Sequence, residues 1–331
     1  MVKNHWSRWM MNPNRHNPFA RDWLEVGGGH RLYLAQFGNP EGIPLLYLHG
    51  GPGAGCNLEE LALFDLRRFR LLFLDQRGAG LSRSEKGLAQ NHFQGLLDDL
   101  ESVRKALRLP RWCLAGGSFG ATLGLVYGGL FPERVIAQTY WGSFIPSAEG
   151  RDWLYGAAGA ASRFPVDYHG FSRWLSRSER STAALLESYA KGFTCLNAQD
   201  YIRSWLRWEQ HLSLPGGGLL PPPRAPRDSN MARIELHYAR HHYFEAMSLF
   251  DAGLNNWPKQ TRLLQGENDW VCPTHLLQAQ LARQIRPAEL QLVAGGHHSL
   301  VDDKMRHAVV AALCAMGDTA ASCETELRSQ D

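Results

Sequence analysis

The chain reads as an α/β protein, a mostly parallel, doubly wound sheet interrupted by one helical insertion. Three observations predict this. Short apolar runs at 43–48, 71–74 and 112–115 each end in a glycine-rich loop, and runs of this kind need cover on both faces, as the strands of a parallel sheet do. Helix-spaced residues lie between them: from Phe93 to Leu107 the apolar positions include Leu96, Leu97, Leu100, Val103 and Leu107. Alternation of strand and helix is the signature of a doubly wound layer structure. Finally, the pattern changes after residue 139. Residues 143–245 are rich in Trp, Arg and Ala at helical spacing, and strand-like runs return only at 261–265 and 290–293.

In chain order, residues 1–22 read as a polar N-terminal leader without the apolar stretch of a secretory signal. RLYLAQF at 31–37 suits a strand, and GNPEG at 38–42 suits a turn before the next one. The α/β core is expected over 23–142 and 246–316 and the helical cap over 143–245. The cap is broken by Leu214–Gly218 and by Pro221–Pro223. Met305 to Met316 reads as a closing amphipathic helix, and 317–331 as a polar, disordered tail.

Composition narrows the function classes. The chain has 331 residues, 44% of them hydrophobic, which suffices for one packed α/β core with an insertion. A formal net charge of +3 supplies no field for nucleic acid or an anionic membrane surface. No stretch approaches the ~20 apolar residues of a membrane span. The six cysteines are scattered without a CxxC pair, which, with no secretory signal, points to reduced thiols and a cytoplasmic setting. Several of the eleven tryptophans lie between 141 and 208, in the cap, where they suit an apolar pocket or a small helical core.

The chemistry is concentrated at the loops that follow strands, where doubly wound sheets place their reactive groups. Gly116-Gly117-Ser118-Phe119-Gly120 fits G-x-S-x-G, a sharp turn between a strand and a helix that exposes a nucleophilic serine. A serine hydroxyl needs a base and a carboxylate to orient that base, in the chain order Ser, Asp/Glu, His for this architecture. Asp269 follows the strand at 261–265, and His297 and His298 follow the strand at 290–293. An oxyanion needs two preorganised N–H donors. Phe119, next to the nucleophile, supplies one, and Gly50 or Gly51 in HGGPG at 49–53 supplies the other. His49 is assigned to orienting that loop, and DQRGAGLS at 75–82 to a structural turn.

HGGPG at 49–53, DQRGAGLS at 75–82, GGSFG at 116–120 and GENDWVCP at 266–273 together resemble the proline iminopeptidases. These are serine peptidases of the α/β-hydrolase fold that remove an N-terminal proline. The likeness extends from Glu25 to His298. WLRWE at 205–209 looks like the family's W-x-x-W-E segment, and ARIELHY at 232–238 like its A-R-I-E-x-H-Y segment. The resemblance implies that Glu209 and Glu235 bind the free amino terminus of the substrate. Two carboxylates would hold that cation by charge-assisted hydrogen bonds and reject substrates lacking it. It also implies that Phe144 contacts the proline ring. YWGSF at 140–144 departs from the family's L-R-G-I-F, and Phe119 stands where the family has Trp, so pocket selectivity is expected to differ here. The family's Gly-His-Ser matches His297 by its Gly-His step and His298 by its His-Ser step and its distance from the strand, so His298 is taken as the base, with His297 the alternative.

These residues imply a serine aminopeptidase acting through an acyl-enzyme on peptides or aminoacyl amides with a free N-terminus, without metal or organic cofactor. An esterase or amidase with another small substrate, and an inactive binding scaffold, are the alternatives. An epoxide hydrolase or dehalogenase is disfavoured because those need aspartate at the elbow.

Overall fold

The computed structural model describes residues 17–175, 179, 181–216 and 227–328. Among the described residues nine strands form one sheet: β1 (Ala20–Gly27), β2 (His30–Gly38), β3 (Ile43–Leu48), β4 (Phe69–Asp75), β5 (Arg83–Ser84), β6 (Trp112–Gly117), β7 (Val135–Trp141), β8 (Thr261–Gly266) and β9 (Glu289–Val293). Their order is β1-β2-β4-β3-β6-β7-β8-β9, with β5 paired to β2. The β1-β2-β4 edge is antiparallel, and from β4 to β9 the strands are parallel. β6 and β7 are buried along their whole length, as the apolar runs require of central parallel strands.

The first face is covered by α1 (Phe93–Ala106), α2 (Phe119–Leu130), α8 (Ala246–Gly253) and α9 (Thr274–Leu281), and the second by α10 (Asp303–Arg328). Two apolar clusters result. One joins Leu46, Leu72, Leu114 and Val126 to the insertion, and the other packs Leu45, Leu71 and Ala115 under Met305, Val309 and Leu313.

Between β7 and α8 the chain leaves the sheet and forms α3 (Ala148–Tyr155), α4 (Pro165–Ser172), α5 (Thr182–Gly192), α6 (Ala198–Ser213) and α7 (Arg227–Arg240). Their interior is aromatic. Phe171 stacks on Trp208 at 5.5 Å and on Tyr189 at 5.0 Å, and Trp205 meets Tyr155 at 4.8 Å and Tyr189 at 5.2 Å. Rings of this size bury about 150–250 Å² each, so a few short helices acquire a core of their own. Gly217, Gly218 and Pro221–Pro223 of the expected break lie outside the described residues.

Two ends differ from expectation. The strand at Ala20 means that the leader expected through residue 22 ends before Ala20; residues 1–16 lie outside the described residues. β1 carries no apolar run because it is an edge strand whose residues are mostly exposed, so its pattern is polar. The tail expected from 317 instead continues α10 to Arg328. Its anchors are tertiary: Ala320 is buried, Gly317 abuts Phe69, and Arg68 donates to Asp318 at 2.6 Å. Among the described residues no helix is long and apolar enough to cross a membrane.

Candidate active site

Ser118 sits between β6 and α2 with φ 57° and ψ −126°. A non-glycine residue in that region costs on the order of 1–3 kcal/mol and persists only where its surroundings over-determine it. Here they do. The Ser118 N–H donates to the Trp141 carbonyl at 3.0 Å, and the Ser118 carbonyl accepts from Ala121 and Thr122. Thr122 Oγ1 in turn donates to the Phe144 carbonyl at 2.6 Å. A Cβ at Gly120 would run into the Leu48 carbonyl, which explains the small residue there. The turn is therefore bolted to the ends of β3 and β7.

The loop after β3 brings Gly50 against the serine: a Cβ at Gly50 would lie 3.1 Å from Ser118 Cβ. His49 is buried and positions this loop. Its Nε2 accepts from the Gln76 N–H at 3.0 Å, so Nδ1 carries the proton and donates to the Gly50 carbonyl at 2.9 Å. Phe119 opens α2, and its N–H is one of the first-turn donors that a helix leaves without an internal acceptor. Gly50, Gly51 and Ser118 line one cavity of about 680 Å³. The Phe119 ring does not face it. That ring is buried against Phe93 at 5.8 Å and Tyr238 at 5.3 Å, so the expectation that this position tunes pocket selectivity does not fit its placement.

DQRGAGLS acts as a brace. The Asp75 carboxylate accepts from the Cys56 and Leu81 N–H groups, both at 2.7 Å, and Arg77 grips buried Asp99 with two hydrogen bonds at 2.6 and 2.9 Å. Burial nonetheless raises Asp99 to about 6 against the pull of Arg77.

The two histidines separate. His298 Nδ1 donates to Asp269 Oδ2 at 2.8 Å, which leaves Nε2 as the unprotonated nitrogen, and His298 lines the cavity with Ser118. Its neighbour His297 instead meets Asp302, Nδ1 to Oδ2 at 2.9 Å, and Asp302 also accepts the His297 N–H at 2.8 Å. Asp269 is held from four directions. Oδ1 accepts from the N–H groups of Val271 at 3.0 Å and Cys272 at 2.7 Å, and Oδ2 from Gln265 Nε2 at 2.9 Å and from His298. Gln265 is a positioning residue that sequence reasoning missed, because a glutamine inside a strand carries no catalytic signal.

Asp269, Cys272 and His298 also bring potential metal donors within 4.8 Å of one another. The donor chemistry does not suit an ion. Asp269 is saturated by hydrogen bonds, and burial, with the Asp269 charge behind it, pushes the Cys272 thiol well above its ordinary range, so it stays a neutral thiol.

The insertion supplies the opposite wall. Glu209 on α6 and Glu235 on α7 line the cavity together with Phe144, Tyr155, Leu206, Tyr243 and Val271. Tyr155 donates to Glu209 Oε1 at 3.2 Å, and Trp205 Nε1 donates to Glu235 Oε2 at 2.9 Å. Both carboxyls are pushed above the ordinary carboxylate range, first by burial. For Glu209 the charge of Glu235 adds to the rise. Two neighbouring acids in such a site favour sharing a proton over ionising together. Tyr155 carries no signal of a site residue in the sequence, and Trp205 is one of the tryptophans that suit a pocket or a helical core equally.

The α/β hydrolase fold family model matches residues 43–304. A proline iminopeptidase of Arabidopsis thaliana is 32% identical over 298 residues, covering 85% of this chain and 76% of the relative. One from Xylella fastidiosa is 34% identical over 321 residues, covering 89% and 96%. Among solved structures, a proline iminopeptidase-related protein from Thermus thermophilus superposes with a TM-score of 0.59 at 21% identity, covering 91% of this chain and 99% of that one. At that identity it speaks for the fold alone.

Proposed function

We propose that this chain, which belongs to the proline iminopeptidase family of α/β hydrolases, is a serine aminopeptidase that releases an N-terminal proline or similar small residue from peptides. The observation that supports the mechanism is the placement of half-buried Glu209 and buried Glu235, neighbouring acids both pushed above the ordinary carboxylate range, in the same cavity as Ser118 and His298.

In this reading the terminal ammonium of a peptide displaces the shared proton and is held between Glu209 and Glu235. The first side chain then occupies the apolar space by Phe144. The remainder of the substrate extends past Ser118. His298 Nε2 takes the Ser118 proton as Oγ attacks the first carbonyl carbon, and Asp269 holds the imidazole in the Nδ1–H tautomer and stabilises the imidazolium. The oxyanion meets the N–H of Phe119 and that of Gly50 or Gly51. His298 returns its proton to the departing amine, the shortened peptide leaves, and water repeats the sequence on the acyl-enzyme to free the amino acid and Ser118.

The free amine is the discriminating feature. An N-acetylated substrate would leave these two cavity-lining carboxyls without the cation they meet in this reading. A panel of prolyl, alanyl and leucyl arylamides, each free and N-acetylated, tests this. Free prolyl and small aminoacyl arylamides are expected to turn over and their acetylated forms to fail. Equal cleavage of blocked and free substrates would sink the aminopeptidase reading and favour a general amidase.

A further inference from the structure

α7 does not return to the core through an ordinary loop. His242, Tyr243, Phe244 and Glu245 have φ of 50°, 55°, 51° and 59°, a left-handed turn of four residues with no glycine among them. Each such residue carries a steric penalty. The turn is held by its neighbours. The Phe244 ring lies parallel to His241 at 4.9 Å and packs on His237 and Tyr238, both at 5.1 Å, while Arg151 Nη1 donates to His242 Nδ1 at 2.6 Å.

The side chain this turn delivers inward is Tyr243. It is buried, its ring sits 4.9 Å from that of Phe144, and it lines the cavity that holds Ser118, Glu209 and Glu235. Burial pushes its phenol well above the ordinary range and the charge of Glu209 pushes it further, so the hydroxyl is neutral and close to the pair. That hydroxyl makes no hydrogen bond among the described residues, whereas Tyr155 is spent on Glu209 and Trp205 on Glu235. A hydroxyl without a protein partner, at the wall of a binding cavity, is open to a hydrogen bond from a ligand atom.

We infer that Tyr243 determines which first residue is accepted, its ring limiting side-chain size opposite Phe144 and its hydroxyl accepting a hydrogen bond from a primary ammonium. The inference rests on the aminopeptidase reading. The chemistry is a matter of counting. The ring nitrogen of an N-terminal proline presents two N–H donors, one for each glutamate. A primary ammonium presents three in a tetrahedral array, and the third needs an acceptor off the Glu209–Glu235 line. Tyr243 supplies it. The left-handed turn is then a built device, kept despite its strain because a right-handed turn would aim this side chain elsewhere.

Steady-state kinetics on prolyl, alanyl, leucyl and phenylalanyl arylamides test this in wild type, Tyr243→Phe and Tyr243→Ala. Tyr243→Phe keeps the ring and is expected to raise KM for the alanyl substrate about tenfold, the effect of losing one charge-assisted hydrogen bond, while the prolyl KM stays within about twofold. Tyr243→Ala is expected to admit the leucyl and phenylalanyl substrates. Glu245→Gly, exposed and outside the cavity, should raise the melting temperature by relieving one left-handed residue. Equal effects of Tyr243→Phe on both substrates, or a wild type that ignores the alanyl substrate, would overturn the role of the hydroxyl. An unchanged size ranking in folded Tyr243→Ala would overturn that of the ring. A wild type that cleaves none of the free-amine substrates would instead count against the aminopeptidase reading itself.

Discussion

Ser118 and His298 stand on loops tied by backbone hydrogen bonds to strand ends, whereas Glu209 and Glu235 stand on two helices joined by aromatic side chains. At the sheet edge the strain is concentrated in one residue, Ser118, and the groups that relieve it are main-chain atoms of Trp141, Ala121 and Thr122. In the cap the strain is spread over His242–Glu245, and side-chain rings hold it. The charge logic differs as well. Asp269 receives four donors. The cap pair is met by Tyr155 and Trp205, and each acid is left to face the other. In the proposed reading the sheet edge is complete in itself, and the cap pair is completed by the cation of the substrate.

Changes at the sheet edge should be the most damaging. Ser118→Ala is expected to lower kcat about 10⁶-fold, as loss of a triad nucleophile does, with an unchanged fold by circular dichroism; a variant retaining a tenth of wild-type turnover would remove Ser118 from the mechanism.

The histidines give the next largest contrast. His298→Ala should cost kcat at least about 10⁴-fold. His297→Ala, which loses only the Asp302 contact, should stay within about tenfold of wild type. Asp269→Asn should resemble His298→Ala, because an amide can hold the imidazole in the wrong tautomer. Reversal of the two histidines in the same assay would overturn the reading of this edge.

In the cap, Glu209→Gln and Glu235→Gln should each lower kcat/KM by about 10²–10³-fold, the range for truncating one partner of a buried charge pair, and mostly through KM. Stability should move the opposite way. These carboxyls titrate above their unfolded values, so the folded state binds more protons than the unfolded chain in the window between the two. Their burial therefore costs stability as pH rises through that window, and not below the ordinary carboxylate range. Thermal melts at pH 8 should show either glutamine variant about 2–4 °C more stable than wild type, the shift of roughly 1 kcal/mol in a chain of this size, with the gain vanishing near pH 4. A variant that loses both activity and stability at pH 8 would mean that the pair is structural.

The smallest effect is expected at Phe119. Phe119→Trp adds volume to a buried site and should cost about 1–3 kcal/mol of stability. The ratio of prolyl to alanyl cleavage should change less than about twofold, since the ring faces Phe93 and Tyr238 and not the cavity. A large change in that ratio would restore Phe119 as a selectivity position.

Much of the sheet edge is legible in the amino-acid sequence, and the reason is local. A nucleophile elbow needs small residues within a few positions of Ser118, and a parallel strand needs an apolar run; both needs are met by neighbours in sequence. Asp269 and His298 stand out for the same reason, as polar residues just after such runs. The choice between His298 and His297 is not local: it depends on which ring faces Asp269 and which faces Asp302, contacts spanning 29 and 5 residues. The cap shows the limit more sharply. Glu209 and Glu235 stand out only through resemblance, and nothing near them in sequence says that each acid will line one cavity, be met by an indole or phenol donor, and be set against the other. The same is true of Tyr243, whose inward aim comes from rings on α7, and of α10, which runs to Arg328 because Asp318 finds Arg68 across 250 residues. Sequence by itself determined the periodicities, the turn and the identities of the reactive groups, because those follow from covalent neighbours. The tertiary structure alone decided which groups meet, which acids are drawn from water and so pushed above the ordinary carboxylate range, and which hydroxyl is left without a protein partner, because solvent exclusion and long-range contact are properties of the packed chain.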